Sequence, residues 1–383
     1  MAAAPPETRD GLRAEFLLIQ QETATGSNIK RARSRSNVWE IWCHFCEALN
    51  QDSMLDALDD PIPLLQLFQS RYHSGELAPQ GNPVRARTAE EALRQVGRTF
   101  VELGKGDPRM NCHGKLDGRV SSHVKFWKNI EPPPKRVKPV PLSVLFQAQT
   151  IAHDDPDVES ETTMRMIWMA YYFLCRPGEY TADIEGSHPF LLKDVQLFVG
   201  SRQLDIYNDP PHLLLAATFV TLTFTTQKNC VRGEVIGLGH SGHPQASPTR
   251  AIAAQVLYLR SQHAPPTTPL CSFKKGDVWF QVTAPQITAL LRQAVTSIGH
   301  TVGITRMEIS ARSLRASGAM ALLCAGVDPV RAQLVGRWRS DTMLRYLHVQ
   351  AQPLVSDLAP KMLSGGNYSL LPQDILGAAG QLI

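Results

Sequence analysis

The 383-residue chain has little charge of either sign in excess: 39 lysines and arginines against 35 aspartates and glutamates leave a formal +4. The total alone neither announces nor excludes a polyanionic partner. Cysteine is sparse, with seven residues at 43, 46, 112, 175, 230, 271 and 324. An odd number scattered over a long chain excludes a small disulfide-stapled scaffold and fits a reducing compartment. Long apolar runs are missing: the stretch from His212 to Phe224 falls well short of the roughly 20 residues that cross a bilayer, so no membrane partner is expected. The start, MAAAPPETRD, lacks a basic segment followed by an apolar one, so no secretory signal is expected. GxxxxGK[ST], HExxH and GxSxG are all absent, which argues against a P-loop nucleotide cofactor, zincin chemistry and a serine-hydrolase elbow. Cys43 and Cys46 have CxxC spacing, and Cys112-His113 could complete a zinc set. Both thiols, however, fall in an apolar helical pattern where a free cysteine acts as a small core residue. His240 and His243 lie in a Gly-rich loop with no acidic or thiol partners. No metal and no cofactor is therefore expected.

What is present is a core-forming composition, 43% hydrophobic, and charge that is located rather than abundant. Residues 27–140 hold 18 basic and 13 acidic groups, a local +5, and residues 300–350 hold 7 and 3, a local +4. The frame between them, 141–299, holds 11 and 13, a local −2. Two basic blocks in a neutral frame fit a polyanion bound at two surfaces, or simply two solvated faces.

The chain reads in segments. Residues 1–26 form an Ala/Pro-rich tail with a short helix over 11–23. Residues 27–130 have helical periodicity throughout. Ser36 or Asn37 is the expected cap of a helix with apolar positions Val38, Ile41, Trp42 and Phe45. PIPLLQLFQSRYHSG is a second helix. TAEEALRQVGRTFVELG is a third, with Thr88 and Glu91 as a capping box and Gly104 as its stop. A fourth is expected around Val120–Asn129. Residues 131–142 read as a Pro-rich extended linker. Beyond it, Ser160–Leu174 is an apolar helix, 191–199 and 218–226 are strands, and TLTFTTQKNCVRGEVIGL is a hairpin with Lys228-Asn229 near its turn. Helices follow over Thr249–Gln262 and Ala284–Ile298. Ser310 is expected to cap a helix stopped by Gly326, Asp328-Pro329 to open one ended by Gly336, and Ser340-Asp341 to open one through Tyr346. The expected architecture is mainly α with a small β-sheet or hairpin: an all-helical N-terminal domain at 27–130, an α+β domain at 143–354, and a C-terminal segment at 355–383.

Within ISARSLRASGAMALLCAGVDPVRAQLVGRWRSDTMLRYLHVQ, Arg312 and Arg315 stand one helical turn apart and can face the same way. Arg337, Arg339 and Arg345 surround Tyr346. Guanidinium groups at fixed positions suit phosphate clamping, and a tyrosine among them has its phenolate stabilised. The plain alternative is a basic surface helix with a packed tyrosine.

This block resembles the C-terminal signature of the tyrosine recombinases, the phage-integrase or Cre-like superfamily. The HxLR box falls on Arg312 to Arg315, AGV on Ala325 to Val327, and the nine-residue step from Arg337 to Tyr346 matches the family spacing to its nucleophile. GRWRSDTMLRY looks most like eukaryotic mobile-element recombinases of Crypton or DIRS type. Upstream, AYYFLCRPGEYT resembles the first-arginine box, which implies Arg176 with Glu179 in support, and TFTTQKNCVRGE resembles the hairpin of the family lysine, which implies Lys228. Two positions depart from the pattern: both family histidines are arginine here, Arg312 and Arg337, with Trp338 able to take over the packing role of the second. Arginine supplies hydrogen bonds and charge but no base at neutral pH.

The resemblance implies a nuclear enzyme that cleaves and rejoins double-stranded DNA through a 3′-phosphotyrosyl intermediate on Tyr346, as a monomer when free and a tetramer on paired sites. Arg176, Arg315, Arg312 and Arg337 are implied on the phosphate, and Lys228 on the leaving oxygen. DNA-backbone contacts are expected from Lys30, Arg31, Arg33 and Arg35, from Lys125 and Lys128, from Lys135, Arg136 and Lys138, and from Arg339. KRARSR and PPPKRVKP would equally serve as nuclear localisation signals. The segment 355–383 is expected to dock on a neighbouring subunit. Other readings are a catalytically impaired relative that only binds DNA, a type IB topoisomerase-like enzyme, and a helical scaffold with no DNA role.

Overall fold

The computed structural model describes residues 29–132, 137–154, 157–182, 187–225 and 233–338. The chain divides into two compact units, 1–134 and 135–383. The described residues are mainly helical with a small antiparallel sheet, the expected fold class.

The described part of the first unit contains four helices, α1 (Ile29–Ala48), α2 (Ile62–Ser74), α3 (Ala86–Glu102) and α4 (Gly118–Ile130), and no strand. Apolar residues at helical spacing meet in one core. Trp42 and Phe45 of α1 contact Phe68 of α2 with ring centroids 5.2 and 5.4 Å apart, both edge-on. Leu65, Leu93, Val96 and Phe100 fill the space around them. The indole N–H of Trp42 donates to the Ser53 carbonyl at 2.9 Å, so the largest core side chain leaves no polar atom stranded. Cys46 is buried among these groups, and burial, followed by the nearby Cys43, pushes its thiol up to about 12.

Two helix starts differ from expectation. Helix α1 is already helical at Ile29, so Ser36 and Asn37 lie inside it. Helix α3 begins at Ala86 rather than Thr88. Its first N–H is satisfied from a distance by Glu131, just past the end of α4, while Glu91 pairs with Arg94. The stops are local: Gly104 just beyond α3 falls as read, and Gly75 ends α2, with φ of 79° and 97°, left-handed values that suit glycine.

In the second unit, α5 (Leu142–Asp154) and α6 (Val158–Tyr172) lead through a one-turn helix, α7 (Pro177–Tyr180), into a four-stranded antiparallel sheet. Its strands are β1 (Val195–Val199), β2 (Arg202–Leu204), β3 (Phe219–Phe224) and β4 (Glu234–Gly239), in the order β2-β1-β3-β4. A short helix, α8 (Pro211–Leu215), precedes β3, and α9 (Pro248–Ser261) follows β4. A separate hairpin pairs β5 (Ser272–Lys275) with β6 (Val278–Gln281). Helices α10 (Ala284–Val302), α11 (Ser313–Cys324) and α12 (Pro329–Val335) complete the described residues. The core gathers Leu197, Val220 and Leu222 from the sheet with Met166 and Trp168 of α6, Ile252 and Val256 of α9, and Ile287 and Leu291 of α10.

Helix α5, the β5–β6 hairpin, β2 and α8 lie where no element was expected. Ser310 does not cap α11. Its own N–H donates to the Ser313 hydroxyl at 3.2 Å, and Arg312 stands at the N-cap position. Asp328 caps α12 as expected, accepting from Val330 N–H at 2.8 Å. The region after Trp338, with the expected helix through Tyr346, lies outside the described residues, as does the hairpin turn carrying Lys228.

Candidate functional site: a carboxylate between two guanidinium groups

The C-terminal end of α6 leaves carbonyls without helical partners, where the helix dipole is negative. Leu174, just past that end, has φ of 50°. Two arginines from the other end of the unit supply the missing donors. Arg315, on α11, donates to the carbonyls of Leu174 and Gly336. Arg337 donates to the Phe173 carbonyl at 3.2 Å and the Leu174 carbonyl at 3.4 Å. Both residues are buried, at 3% and 4% exposure.

Glu179 ties this pair to the turn before it. Arg176 opens α7, and its N–H donates to Glu179 Oε2 at 2.8 Å while its Nη1 donates to Oε1 at 2.9 Å. Arg337 Nη2 donates to the same Oε2 at 2.8 Å. One carboxylate thus holds two guanidinium groups. The Arg337 side chain is 0% exposed and Glu179 10%, but Arg176 keeps 29%. Three guanidinium groups (Arg176, Arg315, Arg337) against one carboxylate leave a local charge of +2, in a setting where charge is costly unless matched.

Aromatic faces complete the packing. Arg315 Cζ lies 4.2 Å from the Trp338 ring centroid, and Arg337 Cζ lies 3.6 Å from that of Phe224, the last residue of β3. Arg337 Nε is buried and has no hydrogen-bond partner among the described residues, beside the Phe224 face. Arg337 also has φ of 57°, a conformation rare outside glycine and asparagine. Close approach sets the glycines: a Cβ on Gly318 would meet the Tyr171 carbonyl, and one on Gly336 the Trp338 ring. Cys175, inside the cluster, has its thiol pushed up to about 12 by burial first and by Glu179 next, so it acts as packing.

The structure therefore brings together Arg176, Glu179, Arg315, Arg337 and Trp338, together with β3, which leads toward Lys228. It does not bring Arg312 with them. Arg312 is exposed at the start of α11, while Arg315, three residues on, is buried. Lys228, Tyr346, Arg339, Lys135 and Arg136 lie outside the described residues, as do the side chains of Lys30 and Arg31. Arg33 and Lys125 are exposed. Three other expected backbone contacts already have acidic partners: Arg35 with Glu102, Lys128 with Glu90 at 2.6 Å, and Lys138 with Glu308 at 2.8 Å. Residue counting missed Phe224 and the Phe173 and Leu174 carbonyls. A bulky aromatic closing a strand just before a basic turn was the one available signal.

No family profile matches the chain, and no curated protein matches it in sequence. Several solved structures are similar. The Tn1549 transposon integrase in complex with circular-intermediate DNA is 12% identical, with a TM-score of 0.46 over 84% of this chain and 99% of that one. XerA recombinase is 13% identical, with a TM-score of 0.35 over 92% and 97%. The integrase of mycobacterium phage Brujita is 12% identical, with a TM-score of 0.28 over 97% and 98%. At such identities, and with TM-scores below 0.5, these likenesses do not assign this chain to a family or a reaction.

The geometry defines what the cluster can do. Arg315 is committed to backbone carbonyls, and Arg337 to backbone carbonyls and Glu179, so they fix the shape of the site. Arg176 donates from its guanidinium to one oxygen of Glu179 and from its backbone N–H to the other, and the partly open guanidinium can still take an anionic oxygen.

Proposed function

We propose that the chain is a tyrosine recombinase that cleaves and rejoins duplex DNA, of the kind carried by eukaryotic mobile elements and acting in the nucleus. The observation that carries this reading is the Glu179 bridge, which holds Arg176 of the first-arginine box and, 158 residues on from itself, Arg337 of the last. Sequence boxes that resemble one active site meet around one carboxylate, with net positive charge left over.

In this reading the Tyr346 oxygen attacks a backbone phosphorus, the phosphorus–O5′ bond breaks, and a 3′-phosphotyrosine and a free 5′-hydroxyl result. Phosphodiester energy is retained, so rejoining needs no nucleotide. Arg176 stabilises the charge that develops on the non-bridging oxygens, and Arg315 contributes its field from the buried layer beneath. Lys228 protonates the leaving oxygen. The burial and pairing of Arg337 favour a positioning role over direct phosphate contact. Arg312 and the basic residues from Lys30 to Arg35, Lys125, Lys128, Lys135, Arg136, Lys138 and Arg339 contact backbone phosphates, which set position rather than sequence. Assembly is a tetramer on two paired sites, with 355–383 docked on a neighbour.

The test is covalent capture. Incubation with DNA from the ends of the element that encodes the chain is expected to give a denaturant-resistant protein–DNA adduct, absent from Tyr346→Phe. The second reading, a DNA-binding protein that has lost cleavage, is favoured by arginine at both family histidine positions. It predicts salt-sensitive DNA binding with no adduct from the intact chain.

A further inference from the structure

Every antiparallel sheet ends in edges whose unpaired N–H and C=O groups can recruit another strand, and proteins blunt them with charge, glycine, brevity or cover. Four edges are found among the described residues. Edge strand β2 has three residues, one of them Arg202. Edge strand β4 begins at Glu234 and contains Gly237 and Gly239. The outer edge of β5 is covered from α9: Gln255 Nε2 donates to the Ser272 carbonyl at 3.0 Å, and Lys274 N–H donates to the Tyr258 hydroxyl at 2.8 Å. Among the described residues, strand β6 has no charge, glycine or covering element. Its sequence, Val278-Trp279-Phe280-Gln281, contains no charge, glycine or proline, and all four residues are exposed.

The hairpin register defines what β6 presents. Lys275 pairs with Val278 across the Gly276-Asp277 turn, and Phe273 pairs with Phe280. Val282 N–H donates to the Cys271 carbonyl at 2.9 Å, which makes every second pair from there a hydrogen-bonded one. The N–H and C=O groups of Trp279 and Gln281 therefore point outward, and they make no hydrogen bond with other described residues. Trp279 is 39% exposed and Phe280 45%, on opposite faces of the strand.

We propose that β6 is a self-association edge that pairs antiparallel with β6 of a second copy of this chain. The edge is complementary to itself. A two-fold axis through Phe280 sets Trp279 opposite Gln281 of the other copy twice over, giving four backbone hydrogen bonds. Phe280 then faces Phe280 in the closer, non-hydrogen-bonded kind of pair. An uncharged strand does not repel its own copy. A bound peptide would gain specificity from side-chain pockets beside the edge. No β6 residue lines either the cleft bordered by Cys43 and Asp52 or the one bordered by Gln149 and Trp168. One four-residue strand pair buries far less than the roughly 1,600 Å² of a standard stable interface, so the association is weak and becomes populated when two copies are held close. It needs no DNA and stands apart from the recombinase reading.

Sedimentation of the full chain over a wide concentration range, without DNA, is expected to show a monomer–dimer equilibrium. Trp279→Lys is expected to weaken it about tenfold or more, because it places a charge on each side of the axis. Phe280→Cys places two thiols at a Cα separation of about 4.5 Å, within the span of a disulfide. Under mild oxidation this variant is expected to give a symmetric peptide pair, disulfide-linked through position 280 of both copies. Its formation is expected to be at least about tenfold faster than that of the corresponding pair from Met307→Cys, whose native residue is more exposed at 73%. A wild-type chain that stays monomeric throughout, or equal cross-linking of the two cysteine variants, overturns the proposal.

Discussion

Each unit buries an arginine–carboxylate pair, and the two pairs are built differently. In the N-terminal unit Arg109 grips Asp107, two residues away, through Nε at 3.0 Å and Nη2 at 2.6 Å. In the C-terminal unit Arg337 grips Glu179, 158 residues away, at 2.8 Å. The first pair forms with its own turn and leaves its side chains 10% and 13% exposed. The second leaves Arg337 with no exposure and Glu179 with 10%, and shares its carboxylate with Arg176. Burial of charge at a distance is hard to sustain unless something else needs it. A local clamp holds a loop, whereas a long-range one holds distant segments in register.

The sharpest way to break this comparison is to remove each carboxylate in turn. Glu179→Ala leaves Arg337 buried and unpaired, and urea denaturation is expected to show a loss of about 4 kcal/mol. Asp107→Ala strands a less buried guanidinium that can reach water, and the expected loss is about 2 kcal/mol. Equal losses would mean that sequence distance makes no difference to the two pairs. The smallest effect separates the units by pH. His123 in α4 is shifted below its ordinary 6.5 by burial and then by the nearby His73. Its folded form binds protons less readily than the unfolded chain, so the N-terminal unit loses stability as pH falls through 6.5. Melting of the full chain followed between pH 7 and 5 is expected to show this slope, and His123→Phe to flatten it. An unchanged slope would mean that other groups carry the acid sensitivity.

The legible parts of the fold were those with local causes. Gly104 and Gly326 mark helix ends because a left-handed residue is needed at that point in the chain. Asp328 caps α12 through neighbours two and three residues on. Thr88 misled because the group that satisfies that helix start is tertiary, Glu131, and Ser310 because its N–H turns to the Ser313 hydroxyl and leaves Arg312 at the N-cap position. Helix α5 was masked by Pro139 and Pro141 before it, although Val144, Leu145, Ala148 and Ala152 keep helical spacing and are buried. The β5–β6 strands are four residues long with no polar alternation to mark them. At the candidate site, arginine spacing gave Arg312, Arg315 and Arg337, and the resemblance to the first-arginine box gave Arg176 and Glu179. Spacing could not separate exposed Arg312 from buried Arg315, because that depends on where α11 starts. Nor could it foresee Glu179 between Arg176 and Arg337, a contact that exists only once the chain has closed on itself.

The span from Glu179 to Arg337 also sets a schedule for synthesis. At about 5–20 residues per second, roughly ten to thirty seconds pass between translation of the carboxylate and of its distant guanidinium. During that interval Glu179 has only Arg176 beside it, and the end of α6 lacks the donors of Arg315. The N-terminal helices, whose clamp partners lie within a few residues, can settle on the ribosome meanwhile. The second unit reaches its final form only when the ribosome has released its last arginines, so a stalled or truncated chain would present a finished first unit and an unlocked second one.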